Sequence, residues 1–242
     1  MLKDNEKKLE QLRKLVIQDP SKIVLNIEEE LYLILEIIED KEFKFIRTSL
    51  SNYLIIRLVS TIESFFKNLI RQAVDDGAFD PSDLLLNSDI KLSLIDINEV
   101  KSDHQLTIGK LILLNYNFQR YRDIDKAMSY LLHKKDFLSL FNNEIKKHFD
   151  SARSPKHSFD WEEFQELFEL RHKIVHEMAD EKIKIGKLRR FIYHTAIFLA
   201  ESWFIHLKCL LEDMKDSKEL SIKEYKKDVE DMDKRTLQFY QE

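Results

Sequence analysis

Glycine and proline are scarce in this sequence, with three of each among 242 residues. Sheets and hairpins need many tight turns, and these two residue types supply most of them. Their scarcity argues against a β-rich chain and predicts an all-α fold of long helices with few joints. Hydrophobic residues make up 43% and charged residues 34%, which is typical of a globular protein of one or two domains.

Cysteine is nearly absent, because Cys209 is the single one in the sequence. An intramolecular disulfide framework is therefore excluded, and the chain suits a reducing compartment. No run approaches the ~18 uninterrupted apolar residues of a membrane span, and the first residues lack the apolar segment of a signal peptide. We therefore expect a cytoplasmic protein that makes no membrane contact.

A basic excess is also missing, since 39 lysines and arginines face 44 aspartates and glutamates and the net charge is -5. Proteins that bind nucleic acid without sequence preference usually carry a strong positive charge or a clear basic face. Any contact with RNA must therefore be confined to a local site, and no binding of DNA is expected.

Apolar residues recur at helical spacing along most of the chain, and two segments predict the strongest core helices. The first follows Ser51 or Asn52, which we expect to cap it, and it is closed by Gly77. The second covers residues 182–215. The predicted domain organisation is an N-terminal helical extension (1–46), a helical domain (47–215) with an insertion around 78–150, and a charged C-terminal helix or tail (216–242).

The segment from Trp161 to Met178 has an apolar stripe that predicts a core-facing helix. The stripe consists of Trp161, Phe164, Leu167, Phe168, Leu170, Ile174, Val175 and Met178. Arg171 lies in the middle of this stripe, where its guanidinium must be partly desolvated and needs an acceptor. His172 and His176 lie together at its edge. Arg171 and His176 are separated by roughly 140° around the helix, so we expect them not to stack on one face, although they could converge if a second helix or a second copy packed alongside.

Arg171-His172-Lys173-Ile174-Val175-His176 matches an R-x4-H motif with a polar residue directly after the arginine. In an all-helical chain, near the end of an amphipathic helix and before another long helix, this motif resembles that of the HEPN superfamily. HEPN proteins are small α-helical domains, many of them metal-independent endoribonucleases of toxin, antiphage and RNA-processing systems. The resemblance covers about residues 50–214 and implies a HEPN-type multi-helix bundle. It further implies a homodimer with a composite cleft, and an antitoxin or defence-system protein as a partner.

Some HEPN families carry an E-x3-K motif in an early helix, and Glu63 and Lys67 have this spacing, although Asn68 then departs from the pattern. In one interpretation Glu63 holds the guanidinium of Arg171. In the other, Glu63 and Lys67 form a half-exposed ion pair. A further set of cations either contacts the RNA backbone or is simply solvated: Lys146, Lys147, Arg153, Lys156, Lys187 and Arg190.

RNA carries its own nucleophile, the 2′-hydroxyl beside the scissile phosphate. Cleavage needs a base for that proton, an acid for the departing 5′-oxygen and a cation for the charge that develops on the phosphate. We therefore assign His176 as general base or acid and Arg171 as the clamp on the phosphate and transition state. His172 is a second proton-transfer group or a substrate orienter. No metal and no other cofactor is required.

Three alternatives remain open at this point. His172 and His176 could bind zinc, although HExxH is absent and no convincing third and fourth ligand accompanies them. The chain could be a non-catalytic HEPN-like scaffold in which Arg171 is a buried structural cation bound to Glu63. It could also be a helical interaction module unrelated to HEPN proteins, with a large apolar surface and a protein partner.

Overall fold

The computed structural model describes residues 20–77, 107–113, 116–132, 136–151 and 159–216. Within these ranges the secondary structure is helical and contains no strand, which confirms the predicted all-α class. The α-helices are α1 (Pro20–Glu39), α2 (Arg47–Asp75), α3 (Ile108–Leu113), α4 (Tyr121–Leu131), α5 (Phe137–Ser151), α6 (Trp161–His176) and α7 (Ile185–Asp216), with a 3-10 helix at Lys44–Ile46. No helix in the described part of the chain is long and apolar enough to cross a membrane.

The chain divides into two compact units. The larger unit consists of Ser21–Ile62 and Leu138–Glu242, and the smaller one consists of Met1–Pro20 and Glu63–Phe137. The division therefore falls at three points: after the first residue of α1, inside α2, and after the first residue of α5. The predicted domain boundaries at residues 46/47 and 215/216 lie at other points of the chain and stay predictions. Of the predicted C-terminal tail (216–242), residues 217–242 lie outside the described residues.

Helix α2 begins one turn before the predicted cap. Its first residue is Arg47, so Ser51 and Asn52 lie within the helix rather than at its start. Both side chains are buried: Ser51 Oγ donates to the carbonyl of Arg47 (2.8 Å), and Asn52 Nδ2 donates to Asp180 Oδ1 (3.4 Å). The prediction of a cap was wrong because Ser51 bonds a carbonyl of its own helix, while Asn52 bonds a residue far away in the chain. The predicted end is confirmed, since Gly77 has a φ of 68° just after the last helical residue.

Helix α6 starts where the local sequence provides a cap. The carboxylate of Asp160 accepts hydrogen bonds from the backbone N–H groups of Glu162 (2.9 Å) and Glu163 (3.1 Å). Both of those residues are acidic and lie in the first turn, where negative charge is stabilised by the helix dipole. The start of α6 is therefore defined by residues close to it in the chain.

The buried face of α6 packs against α7 and α5 through aromatic rings. The ring of Phe164 lies 4.6 Å from that of Phe198 on α7, measured between centroids, and Phe141 on α5 lies 5.1 Å from Phe198. Trp161 joins the cluster at 5.5 Å from Phe141, and its indole Nε1 donates to Asn142 Oδ1 (2.6 Å). Phenylalanine and tryptophan bury large apolar areas, and edge-on ring pairs add about 0.5–1.5 kcal/mol each. This cluster fixes α6 within the larger unit.

The predicted apolar stripe of α6 is only partly buried. Phe164, Leu167, Phe168 and Leu170 are in the core, as expected. Val175 is 38% exposed and Met178 is 90% exposed, so the prediction of a core-facing stripe was wrong for the last turn and the residues after it. Helical spacing identifies the side of a helix that carries apolar residues, but it does not show where the neighbouring helices stop covering that side.

In the smaller unit, one carboxylate connects the end of α2 to the start of α3. Asp75 Oδ1 accepts from the backbone N–H of Gly109 (2.9 Å), and Oδ2 accepts from Thr107 Oγ1 (2.8 Å) and from Arg71 Nη1 (3.1 Å). A Cβ on Gly109 would lie 2.6 Å from Asp75 Oδ1 and 2.7 Å from the carbonyl oxygen of Arg71. Glycine is therefore required at position 109 for the close approach of α3 to the end of α2.

We predict that Gly109→Ala lowers the free energy of unfolding by about 1–3 kcal/mol, because the added methyl group overpacks a site closed by backbone on one side. Urea denaturation followed by circular dichroism measures the change. Gly186→Ala is the matched control: the nearest atom to its new Cβ is Arg190 Nη1 at 4.0 Å. That control should be neutral or slightly stabilising, and an equal loss in both variants would contradict the prediction.

Candidate functional site

The C-terminal part of α6 brings together the three residues that the R-x4-H motif singled out. Arg171 Nη1 lies 3.4 Å from His176 Nε2. The rings of His172 and His176 face each other with centroids 4.7 Å apart. Both histidines are exposed, and Arg171 is partly exposed. One guanidinium and two imidazoles therefore share one surface at the end of one helix.

The contact between Arg171 and His176 corrects one expectation. Their separation around the helix predicted that the two side chains would not stack on one face. They meet within one helix because the arginine side chain is long enough to reach along the surface toward the C-terminus. The partial desolvation expected for Arg171 agrees with its burial: the residue is partly exposed and its Nε atom is buried.

An unusual turn ends α6 directly after the site. The carbonyl of Lys173 accepts from the N–H groups of Glu177 (3.0 Å) and Ala179 (3.4 Å). Between them, Met178 has a φ of 52°, a left-handed conformation that residues other than glycine adopt rarely. The loop that follows is held by the bond from Asn52 to Asp180. His176 thus occupies the last helical position, with open surface beyond it.

Glu63 and Lys67 form an ion pair with each other, which was one of the two interpretations of their spacing. Lys67 Nζ donates to Glu63 Oε1 at 2.7 Å, and both side chains are half-buried. Such pairs contribute a few tenths of a kcal/mol. The other interpretation, in which Glu63 holds Arg171, joins residues of different units and stays a prediction.

The predicted substrate-binding cations are engaged to different degrees. Lys187 donates to Glu166 Oε1, Arg190 Nε donates to Glu163 Oε1 (2.6 Å), and Lys147 Nζ donates to Glu144 Oε1 (2.7 Å). Lys146 is exposed on α5. Arg153 and Lys156 lie outside the described residues. Three of these cations therefore neutralise acidic side chains within the protein, and a phosphate would compete with those carboxylates.

Two carboxylates that sequence reasoning did not single out organise these cations. Glu163 also accepts from His194 Nε2 (3.2 Å), so it lies between an exposed arginine and a buried histidine. Burial raises the pKa of Glu144, but hydrogen bonds from Lys147 and from Lys208 (2.5 Å) outweigh it and bring the pKa below its usual value. Acidic residues at the border of an amphipathic helix look like solvated surface in a sequence, which is why both were missed.

No group of three or more histidine, cysteine, aspartate or glutamate side chains that could hold a metal ion occurs among the described residues. His172 and His176 accordingly have no third protein ligand within that part of the chain. In a catalytic zinc site three protein ligands are usual. A guanidinium and two imidazoles at the end of α6 can bind an anion and transfer protons.

Comparison of the chain with models of known families, with curated protein sequences and with solved structures gives no match. The chemical reading of Arg171, His172 and His176 therefore depends on their geometry and on the motif resemblance.

The two histidines of α7, His194 and His206, are both buried. Burial lowers the pKa of His194, although the neighbouring Glu163 opposes the effect. Burial alone lowers the pKa of His206 to about 3. Both imidazoles are therefore neutral in the folded protein at neutral pH, and an unfolded chain would bind protons that the folded chain does not.

We predict that His206 makes the free energy of unfolding decrease as the pH falls. Between pH 6.5, the usual histidine pKa, and pH 3 the unfolded state binds the extra proton, so acid favours unfolding by about 1 kcal/mol between pH 7 and 5.5. His206→Gln should remove this share of the slope in urea titrations at each pH. Thr195→Val, which replaces another buried polar side chain of α7, should keep the slope of the wild type. Parallel slopes for wild type and His206→Gln would contradict the prediction.

Proposed function

We propose that the C-terminal turn of α6 is the active site of a metal-independent endoribonuclease of HEPN type. The observation that carries the proposal is the 3.4 Å contact between the Arg171 guanidinium and the His176 imidazole on an open surface, with the His172 ring 4.7 Å from that of His176. A fixed cation next to proton-transfer groups is the combination that transesterification of RNA needs.

Each residue has a role in this reaction. Arg171 binds the non-bridging oxygens of the scissile phosphate, because its planar fork matches two of them and keeps its charge at every physiological pH. His176 exchanges a proton with the reacting oxygens, because imidazole can act as base and as acid near neutrality. The 2′-hydroxyl attacks the adjacent phosphorus, and the products are a 2′,3′-cyclic phosphate and a 5′-hydroxyl. No metal ion takes part.

The location of the site at an exposed helix end fits a substrate that is read locally. The net charge of -5 gives no broad attraction for nucleic acid, so binding depends on the few cations near the phosphate. The resemblance to HEPN ribonucleases supports a homodimer as the functional unit, a toxin or defence role, and an antitoxin or defence-system protein as partner. DNA, which has no 2′-hydroxyl, is not a substrate.

A second candidate is a non-catalytic helical interaction module. Exposed apolar side chains of the larger unit favour it: Phe45 is 83% exposed and Leu33 is 59% exposed. Apolar groups of this size on a surface often mark a protein contact. In such a module Arg171 and His176 would be structural or incidental surface residues.

We predict that the purified protein cleaves RNA in the presence of EDTA. Arg171→Ala and His176→Ala should each reduce cleavage by at least about 100-fold, because each removes a group that acts in the transition state. The measurement is cleavage of total RNA on a denaturing gel, with mapping of 2′,3′-cyclic phosphate ends. The helical circular dichroism signal should stay unchanged in both variants.

Lys184→Ala is the matched control, since it removes an exposed cation just before α7. Its activity should equal that of the wild type. Cleavage that survives both active-site substitutions would indicate a contaminating nuclease and contradict the proposal. Complete lack of cleavage by the wild type would favour the interaction module, and a requirement for added zinc would favour a metal site.

A further inference from the structure

The contact between Arg171 and His176 places a guanidinium donor against one ring nitrogen of His176. A guanidinium has hydrogen-bond donors and no acceptor. In the 3.4 Å contact Arg171 Nη1 therefore donates, and His176 Nε2 must offer its lone pair. When the guanidinium turns to the non-bridging oxygens of a bound phosphate, Nε2 is released and can accept a proton, which is the task of a general base.

The general acid then has to be another group close to the same phosphate. A proton-transfer group must come within about 2.6–3.2 Å of the oxygen that it serves. The ring of His172 is 4.7 Å from that of His176, so the two imidazoles can reach two oxygens of one phosphate. Both side chains are exposed and can adjust their rotamers. Lys173 and Glu169 are the other exposed charged side chains within one turn of His172 on α6.

Resting on the proposed function, we infer that His172 of the same chain is the general acid, so that one chain carries the complete catalytic set of base, acid and phosphate clamp. The composite cleft implied by the HEPN resemblance would draw these groups from two chains. Here the spacing of four residues on one helix face places both imidazoles side by side. Pairing of two subunits then serves substrate binding or stability, and the chemistry does not require it.

The reaction balances with these two residues. His176 Nε2 takes the proton of the 2′-hydroxyl as the 2′-oxygen forms its bond to phosphorus. The bond from phosphorus to the 5′-oxygen breaks, and that oxygen takes a proton from the protonated His172. Arg171 holds the non-bridging oxygens while charge builds up on them. His176 ends protonated and His172 neutral, and exchange with water resets both before the next turnover.

A substrate whose leaving group needs no proton tests the role of His172. Nucleoside 3′-(4-nitrophenyl phosphates) of all four bases release 4-nitrophenolate, a stable anion. We expect His172→Ala and His172→Gln to lower kcat on RNA by about 10²–10⁴-fold and to stay within a few-fold of the wild type on the activated esters. His176→Ala should lose activity on both substrates, since the 2′-hydroxyl must be deprotonated in either case.

Each other result decides against the inference. Equal losses on RNA and on the esters would make His172 a substrate orienter, and full activity on both would remove it from the reaction. A change confined to KM would also indicate orientation only. These outcomes leave the proposed function intact, whereas a wild-type protein that cleaves neither RNA nor any ester would overturn the proposed function itself.

Mixing of variants tests whether acid and base belong to one chain. His172→Ala and His176→Ala proteins are denatured together, refolded and assayed on RNA. With both groups in one chain, every site in the mixture lacks one of them, and the mixture stays inactive. If the acid comes from a partner chain, each mixed dimer contains one intact site and activity returns, which would overturn the inference. Lys184→Ala, treated in the same way, controls for recovery of the fold.

Discussion

The packing of α6 against α7 is the constraint on which the candidate site depends. Phe164 and Phe198 are in contact at 4.6 Å, and Trp161 and Phe141 extend the cluster to α5. Because large rings in a dry core leave little freedom to rotate, they fix the orientation of α6 about its own axis. That orientation decides that Arg171, His172 and His176 emerge on the surface at the end of the helix.

The first part of α6 packs in the core, and the residues proposed to act on RNA lie in its exposed last part. Up to Leu170 the inner face is buried, and from Arg171 onward the helix is mostly exposed. The ion pairs of Glu163 with Arg190 and of Glu166 with Lys187 hold the first half of α6 to the beginning of α7. Arg189 adds a two-pronged contact between α7 and α1 through Glu39 (2.7 and 2.8 Å). Arg171, His172 and His176 are thus presented by a helix whose first half is held by ion pairs, and not by a loop.

Composition and helical spacing predicted the fold class, the turn at Gly77 and the buried half of α6. These features depend on residues close together in the chain. A sequence with few glycines and prolines has few turns, and apolar residues at helical spacing indicate a helix face that packs against other helices. The start of α2 was misplaced because Ser51 bonds a carbonyl within the helix and Asn52 bonds Asp180 in a distant loop. The contact of Arg171 with His176 could not be predicted either, because helical angles describe Cβ directions and not the reach of a long side chain. The need for glycine at position 109 could not be predicted either, because it comes from the contact with Asp75, which is far away in the sequence.

The left-handed backbone at Met178 has a thermal consequence. Glycine would adopt this conformation freely, whereas a residue with a Cβ costs about 1–2 kcal/mol there. Since His176 is the last residue of the helix before that turn, fraying of the terminus displaces an imidazole long before the aromatic cluster melts. Heating should therefore extinguish any activity of this surface at temperatures where the ellipticity of the chain is still intact.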